Sequence, residues 1–164
     1  MISIRLEEEL AQYNLNGKWN DYIGVQKEVL EILRREGFFN EDEVVNQEIG
    51  MSIKINPKGI KETIGKGKRF QNLPKKLKQC KIATLRHLKH IIKNAELIAD
   101  DVENYHEKNG HVFAYLKTEI VIDEEKFGVR ITIKKKVGAN WFWIHNIDEN
   151  KKVSNYSTHL KDRI

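Results

Sequence analysis

The side chains best suited to chemistry in this chain lie between positions 111 and 145: His111, Tyr115, Lys117, Glu119, Arg130, Thr132 and His145. Cutting RNA without a metal needs a base for the ribose 2′-OH proton, a cation for the phosphate and an acid for the leaving oxygen. His111, His145 and Glu119 are suited to the proton transfers, the histidines because imidazole titrates near neutral pH. Arg130 and Lys117 can hold a phosphate, arginine bidentately. Thr132 and Tyr115 can donate hydrogen bonds to it. The plainer alternative is a wet sheet surface, on which a cross-strand pair such as Glu119 with Arg130 is worth about 0.2–1 kcal/mol.

These residues share a surface only if the backbone puts them there. His111–Ile122 alternates, with Val112, Ala114, Leu116, Ile120 and Ile122 apolar, and Lys126–Lys134 alternates with Phe127, Val129, Ile131 and Ile133. Asp123–Lys126 turns between them, and Val137–Asn140 leads into a third strand, Trp141–Ile147. This is an antiparallel meander with one buried face. A two-residue turn at Glu124-Glu125 sets Glu119 across from Arg130, Lys117 from Thr132 and Tyr115 from Lys134. A four-residue loop then sets His145 across from Thr132 and Trp143 from Lys134. A one-residue slip in the hairpin would bury Arg130, which fixes the faces. A third loop one residue longer or shorter would turn His145 inward.

Helices precede the sheet. Lys18–Arg35 is amphipathic and stops at Gly37, and a shorter helix fits around Leu6–Tyr13. Ser52–Ile55 reads as a short strand ending at Asn56-Pro57, followed by a brief helix over Lys58–Lys66. Leu73–Ala95 is the longest helical pattern, with Leu77, Ile82, Leu85, Leu88, Ile91 and Ile92 inward and lysine on the other face. Residues 100–109 read as a polar loop, and the tail from Asp148 as loosely held. The expected organisation is an acidic helical segment, 1–47, followed by a basic α+β domain, 48–164.

Charge divides the same way. The net charge is +5, yet residues 1–50 hold 5 Lys/Arg against 11 Asp/Glu, and residues 51–164 hold 24 against 13. Between Lys54 and Lys93, 13 basic residues face one acid, Glu62. Such a run is often a solvated helix face, but solubility does not need so one-sided a sign. Crowded cations repel one another until an anion joins them, so a polyanion is the expected partner. RNA leads, with Lys66, Lys68, Arg69, Lys75, Lys76, Lys78, Arg86, Lys89, Lys134 and Trp143 as its expected contacts.

Other classes fall away. No apolar run approaches the roughly 20 residues of a membrane span, and the acidic start is unlike a signal peptide. No membrane partner is expected. A lone Cys80 leaves neither a disulfide framework nor a multi-cysteine zinc site. His87 and His90, three apart on a helix, with His106 or Asp100, make a weak metal set beside the simpler reading of solvated histidines. Gly65-Lys66-Gly67-Lys68-Arg69 lacks the spacing of a nucleotide-triphosphate loop. No metal and no cofactor are expected.

The order Ile60-Lys61-Glu62-Thr63 as a short strand, a Lys-rich segment, a helix ending Lys93-Asn94-Ala95, then His111-Val-Phe-Ala-Tyr115, Phe127-Gly-Val-Arg-Ile-Thr132 and Trp141-Phe-Trp-Ile-His145 resembles a known group. It is similar to the large polyvalent protein-associated domains and the phage-encoded nuclease-like domains of the barnase/EndoU/colicin/RelE-like superfamily. The resemblance covers about residues 51–147. It implies a small α+β ribonuclease, helices first and an antiparallel sheet after, of the kind used as toxin modules and often directed at tRNA. Carried over by position, it points to His111, Tyr115, Arg130, Thr132 and His145. Thr63 departs from the serine usual after the first strand.

The sequence therefore sets up a metal-independent endoribonuclease toxin module, cleaving tRNA or other structured RNA by 2′-OH attack. It would act in the cytoplasm, of the producing cell or of a target cell into which it is delivered. A cognate immunity or antitoxin protein would be its second partner. The alternative is a non-catalytic nucleic-acid-binding phage accessory protein or an inhibitor of host defence.

Overall fold

A computed structural model describes residues 2–40, 44–48, 50, 52–65, 68–98, 105–108, 110–136, 138 and 141–152, with backbone alone for 68–69, 105–108 and 141–152. The protein is α+β, with helices followed by a largely antiparallel sheet. The front elements are β1 (Ser3–Ile4), α1 (Leu6–Leu10), α2 (Tyr22–Arg35), β2 (Val44–Val45) and β3 (Ser52–Lys54). The middle is helical: α3 (Pro57–Thr63), α4 (Lys68–Asn72), α5 (Lys75–Thr84), a 3₁₀ turn at Leu85–His87 and α6 (Leu88–Asn94). Then come β4 (Glu96–Leu97), β5 (Tyr105–Lys108), β6 (His111–Ile122), β7 (Glu125–Lys136) and β8 (Trp141–Lys152).

Local chemistry sets the helix ends. The Asp21 side chain accepts from the Gly24 amide at 3.1 Å, so α2 starts at Tyr22 rather than at Lys18. Gly37 ends it with φ 73°, a left-handed value that a side chain would resist. Asn56 caps α3 through the Gly59 amide at 2.7 Å, with Pro57 in the first turn. Ile60–Thr63 is therefore helical, which corrects the short strand implied by the resemblance. The single long helix expected over Leu73–Ala95 is in fact α5 and α6 with the 3₁₀ turn between them. Thr84 Oγ1 donates back to the Cys80 carbonyl at 2.8 Å, the kind of side-chain bond that bends a helix.

One sheet ties the chain together. Its main path runs β1-β6-β7-β8-β3-β2, and β4 and β5 also pair with β6. Most pairs are antiparallel; β1–β6 and β3–β8 are parallel. The inward face of the hairpin is the expected one: Ala114, Leu116, Ile120, Ile122, Phe127, Val129, Ile131 and Ile133 are buried. Val112 is half-buried instead. The core they join also takes Ile4, Leu6, Val25, Val29, Leu30 and Leu33 from the front segment. The boundary expected after residue 47 falls between β2 and β3, which pair with one another.

Two expectations about the helical middle and the tail are corrected. The face of α5 opposite the core is not a uniform lysine rod, because Lys78 and Lys81 are buried at 5% and 3% exposure. The tail from Asp148 is not loose at its start, since β8 runs on to Lys152 and pairs with β7 to that point. No helix among the described residues is long and apolar enough to cross a membrane.

Candidate nucleic-acid interface

The hairpin β6–β7 places the outward residues in rows. Asp123 and Glu124, at φ 48° and 70°, form a two-residue turn of the type that matches strand twist. The turn lies one residue earlier than expected, so the facing pairs shift while every residue keeps its face. Lys117 pairs with Arg130, Tyr115 with Thr132, Phe113 with Lys134, and Glu119 with Gly128. The Arg130 guanidinium sits over the Tyr115 ring, 4.4 Å from its centre. Tyr115, Lys117, Arg130, Thr132 and Lys134 are half-buried, while Glu119 is exposed. Glu119 lies across from Gly128 rather than Arg130, so the expected Glu119–Arg130 pair is replaced by a cation stacked on Tyr115 and facing Lys117.

The third strand adds to these rows by register. Trp143 faces Lys134, as expected, but Asn146 rather than His145 faces Thr132. His145 is the extra residue of a β-bulge, between Asn146 opposite Thr132 and Ile144 opposite Ile133. Asp148 aligns with Arg130. The side chains of His145 and Trp143 lie outside the described residues. His111 pairs with Lys136, six positions along β6 from Lys117. That separation is about 20 Å at strand rise, so His111 and Arg130 do not meet on one phosphodiester. The structure thus gathers Tyr115, Lys117, Arg130 and Thr132, brings the His145 backbone close, and sets His111 apart.

Lys134 is electrostatically distinct. Its ammonium is held below the ordinary lysine value, first by burial and then by the charge of Lys58, with Glu62 pulling the other way. Both neighbours belong to α3, which packs against β8. Lys134 is among the contacts expected from the sequence, whereas no motif distinguishes Lys58 from the other basic residues between Lys54 and Lys93.

The basic helices look different from what the sequence set up. Lys75 and Lys76 are exposed, and Lys76 Nζ is 3.9 Å from Asp123 Oδ2. Lys78 Nζ donates to the Trp19 carbonyl at 3.1 Å and lies over the Phe70 ring. Arg86 bridges Glu9 at 3.1 Å and Glu36 at 3.0 Å, and Lys89 lies over the Phe38 ring. Lys66 lies outside the described residues, as do the side chains of Lys68 and Arg69. His87 Nε2 is 2.8 Å from Glu9 Oε1 and His90 is exposed. Among the described residues no three His, Cys, Asp or Glu side chains gather as a metal set would. The acidic front segment thus meets the basic helix through Arg86 and His87, a pairing that the opposite charges of the two segments signal.

A family model described as large polyvalent protein-associated domain 3 matches residues 24–142, from the first turn of α2 to the start of β8. No curated protein matches the chain, and no solved structure does.

Proposed function

The chain belongs to the large polyvalent protein-associated domain 3 family, and from that premise we propose that it is an RNA-directed module whose outward sheet face binds the phosphodiester backbone. The observation that carries this reading is the Arg130 guanidinium stacked on Tyr115 and paired across the strands with Lys117. Stacking fixes the plane of the guanidinium while leaving its N–H groups for phosphate oxygens. Thr132, across from Tyr115, offers a hydroxyl in the same row. Binding of fluorescein-labelled tRNA, followed by anisotropy at fixed salt, tests it. Arg130→Ala is expected to weaken binding about tenfold, the lower end of what one charge-assisted contact supplies. Unchanged affinity, with the variant's melting curve intact, rejects the reading.

The bulge at His145 favours a second, finer reading: a ribonuclease of the barnase/EndoU/colicin/RelE-like kind. Bulges re-aim side chains and recur beside active sites, and this one puts a histidine position next to Thr132. In that reading Arg130 and Lys117 hold the phosphate and His145 moves the proton between the 2′-OH and the leaving 5′ oxygen. The products are a 2′,3′-cyclic phosphate and a free 5′-OH. His111 takes no part, since it lies too far along β6 to share the phosphate. A toxin role with a cognate immunity protein follows from this reading alone. Incubation with total tRNA in EDTA decides it: cleavage lost in His145→Ala but retained in His111→Ala supports it, and intact tRNA throughout leaves binding alone.

A further inference from the structure

The Arg130 side chain leans out of its own row. Arg130 pairs across the hairpin with Lys117, and like charges set directly opposite repel. Tyr115 pairs with Thr132, so it lies diagonal to Arg130, within reach of a long side chain. The guanidinium lies over that ring, 4.4 Å from its centre. The lean relieves the repulsion and sets a planar cation on an aromatic face. Arg130, Lys117 and Thr132 are all half-buried, so each keeps some surface toward solvent.

Tyr115 takes one face of the guanidinium. The opposite face is flat, cationic and more weakly hydrated than an ammonium, so covering it with a second π-system costs little solvation. Every nucleobase has such a face, and unpaired bases stack on arginine planes as well as on aromatic rings. In a duplex those faces are already stacked on one another. The guanidinium N–H groups lie in its plane and point out from its edge, where a phosphate oxygen can accept them. Lys117 adds a second charge from the facing position and Thr132 a hydroxyl. The helices carry cation–ring contacts of another kind. Lys78 lies over Phe70 and Lys89 over Phe38, but an ammonium is a point charge without a plane, and Lys78 is buried. The Arg86 guanidinium is held edge-on by Glu9 and Glu36.

Resting on the RNA-binding reading above, we propose that Arg130, held on Tyr115, is a stacking platform for one unpaired nucleobase, which makes single-stranded or looped RNA, and not duplex, the class of ligand. Arg130 meets the base with its face and the adjoining phosphate with its edge, beside Lys117. Tyr115 touches no nucleotide in this arrangement and acts as a positioning residue.

Two fluorescein-labelled probes separate base from phosphate when titrated with the full chain: a short oligouridylate, and the same ribose-phosphate backbone lacking its bases. Stacking of one base supplies about tenfold in affinity, so the base-bearing strand is expected to bind about tenfold tighter. Arg130→Lys keeps the charge and loses the plane. It should erase that preference while leaving the slope of log K against log salt unchanged, since the count of neutralised phosphates is the same. Tyr115→Phe keeps the ring and should keep the preference. A preference that survives Arg130→Lys, or one that is lost in Tyr115→Phe, overturns the platform. Equal binding of the two probes by the unaltered chain also overturns it, and if Arg130→Ala still weakens both, the RNA-binding reading stands. Tighter binding of duplex than of single-stranded RNA overturns the platform as well. Absence of binding by the unaltered chain overturns both.

Discussion

At the scale of single residues, the same side-chain type serves opposite ends depending on what surrounds it. Lys75 and Lys78 stand three apart, so sequence alone treats them alike. Lys75 is exposed, whereas Lys78 threads its ammonium to the Trp19 carbonyl at 3.1 Å and lies over the Phe70 ring. A hydrogen bond from a charged donor contributes about 1.5–3 kcal/mol. Lys78→Ala should therefore lower stability by about 2 kcal/mol or more in urea unfolding, while Lys75→Ala changes it by less than about 0.5 kcal/mol. Equal effects would show that the bond to Trp19 contributes nothing. Tyr13 is the reverse case, a polar atom gaining little from burial. Its hydroxyl has no hydrogen-bond partner among the described residues, and burial raises its pKa, opposed by Arg86 and reinforced by Glu9 and Glu36. A raised value in the folded state means stability that is complete below the unfolded tyrosine value, about 10, and is lost as pH climbs past it. Tyr13→Phe should abolish that alkaline loss and raise neutral-pH stability by about 1 kcal/mol. A less stable variant at neutral pH would reveal a bond the hydroxyl makes.

At the scale of elements, the hairpin turn shows what a pattern of apolar residues can and cannot specify. Alternation fixes which face is buried, because a slip by one residue exchanges the faces. Moving the turn by one residue displaces facing pairs by two, which preserves every face and changes every partner. Asp123-Glu124-Glu125-Lys126 contains neither Gly nor Asn, so nothing in its composition distinguishes the two turns. That is why the outward set was legible in the sequence while the Lys117–Arg130 pairing was not. The bulge at His145 escaped for a related reason: an extra residue leaves no mark in a strand whose inward positions are read only from Phe142 and Ile144. The turn also connects elements. Asp123 Oδ1 accepts from the Leu6 amide at 3.0 Å, tying the start of α1 to the tip of the hairpin. Glu124, at φ 70°, has no such duty, and a left-handed residue other than glycine costs about 1–2 kcal/mol. Glu124→Gly should raise the melting temperature, whereas Asp123→Gly should lower it by depriving the Leu6 amide of its acceptor. Stabilisation by both would mean that the bond to Leu6 is idle.

At the scale of the whole molecule, the charge contrast that divides the sequence unites the structure. Glu9 on α1 and Glu36 after α2 close on Arg86, and His87 joins Glu9. The acidic front therefore neutralises part of the basic middle at Arg86 and His87. Packing agrees. Ile4, Leu6, Tyr13, Leu15, Val25, Val29, Leu30, Leu33 and Phe38 are buried in the same core as the hairpin. At about 1.5–3 kcal/mol for each side chain, their burial rivals the roughly 5–15 kcal/mol net stability of an ordinary domain. The sheet adds its own ties, since β1 pairs with β6 and β2 with β3. Composition suggested a separable acidic segment because charge is counted along the chain, whereas packing is made across it. A fragment comprising residues 48–164 is accordingly expected to lack cooperative thermal unfolding and dispersed amide resonances. Adding residues 1–47 as a separate peptide should restore both, since the two pieces share one core. A fragment that melts cooperatively alone, with the hairpin amides protected from exchange, would show that the front segment is a passenger and that its buried side chains contribute far less than their area implies.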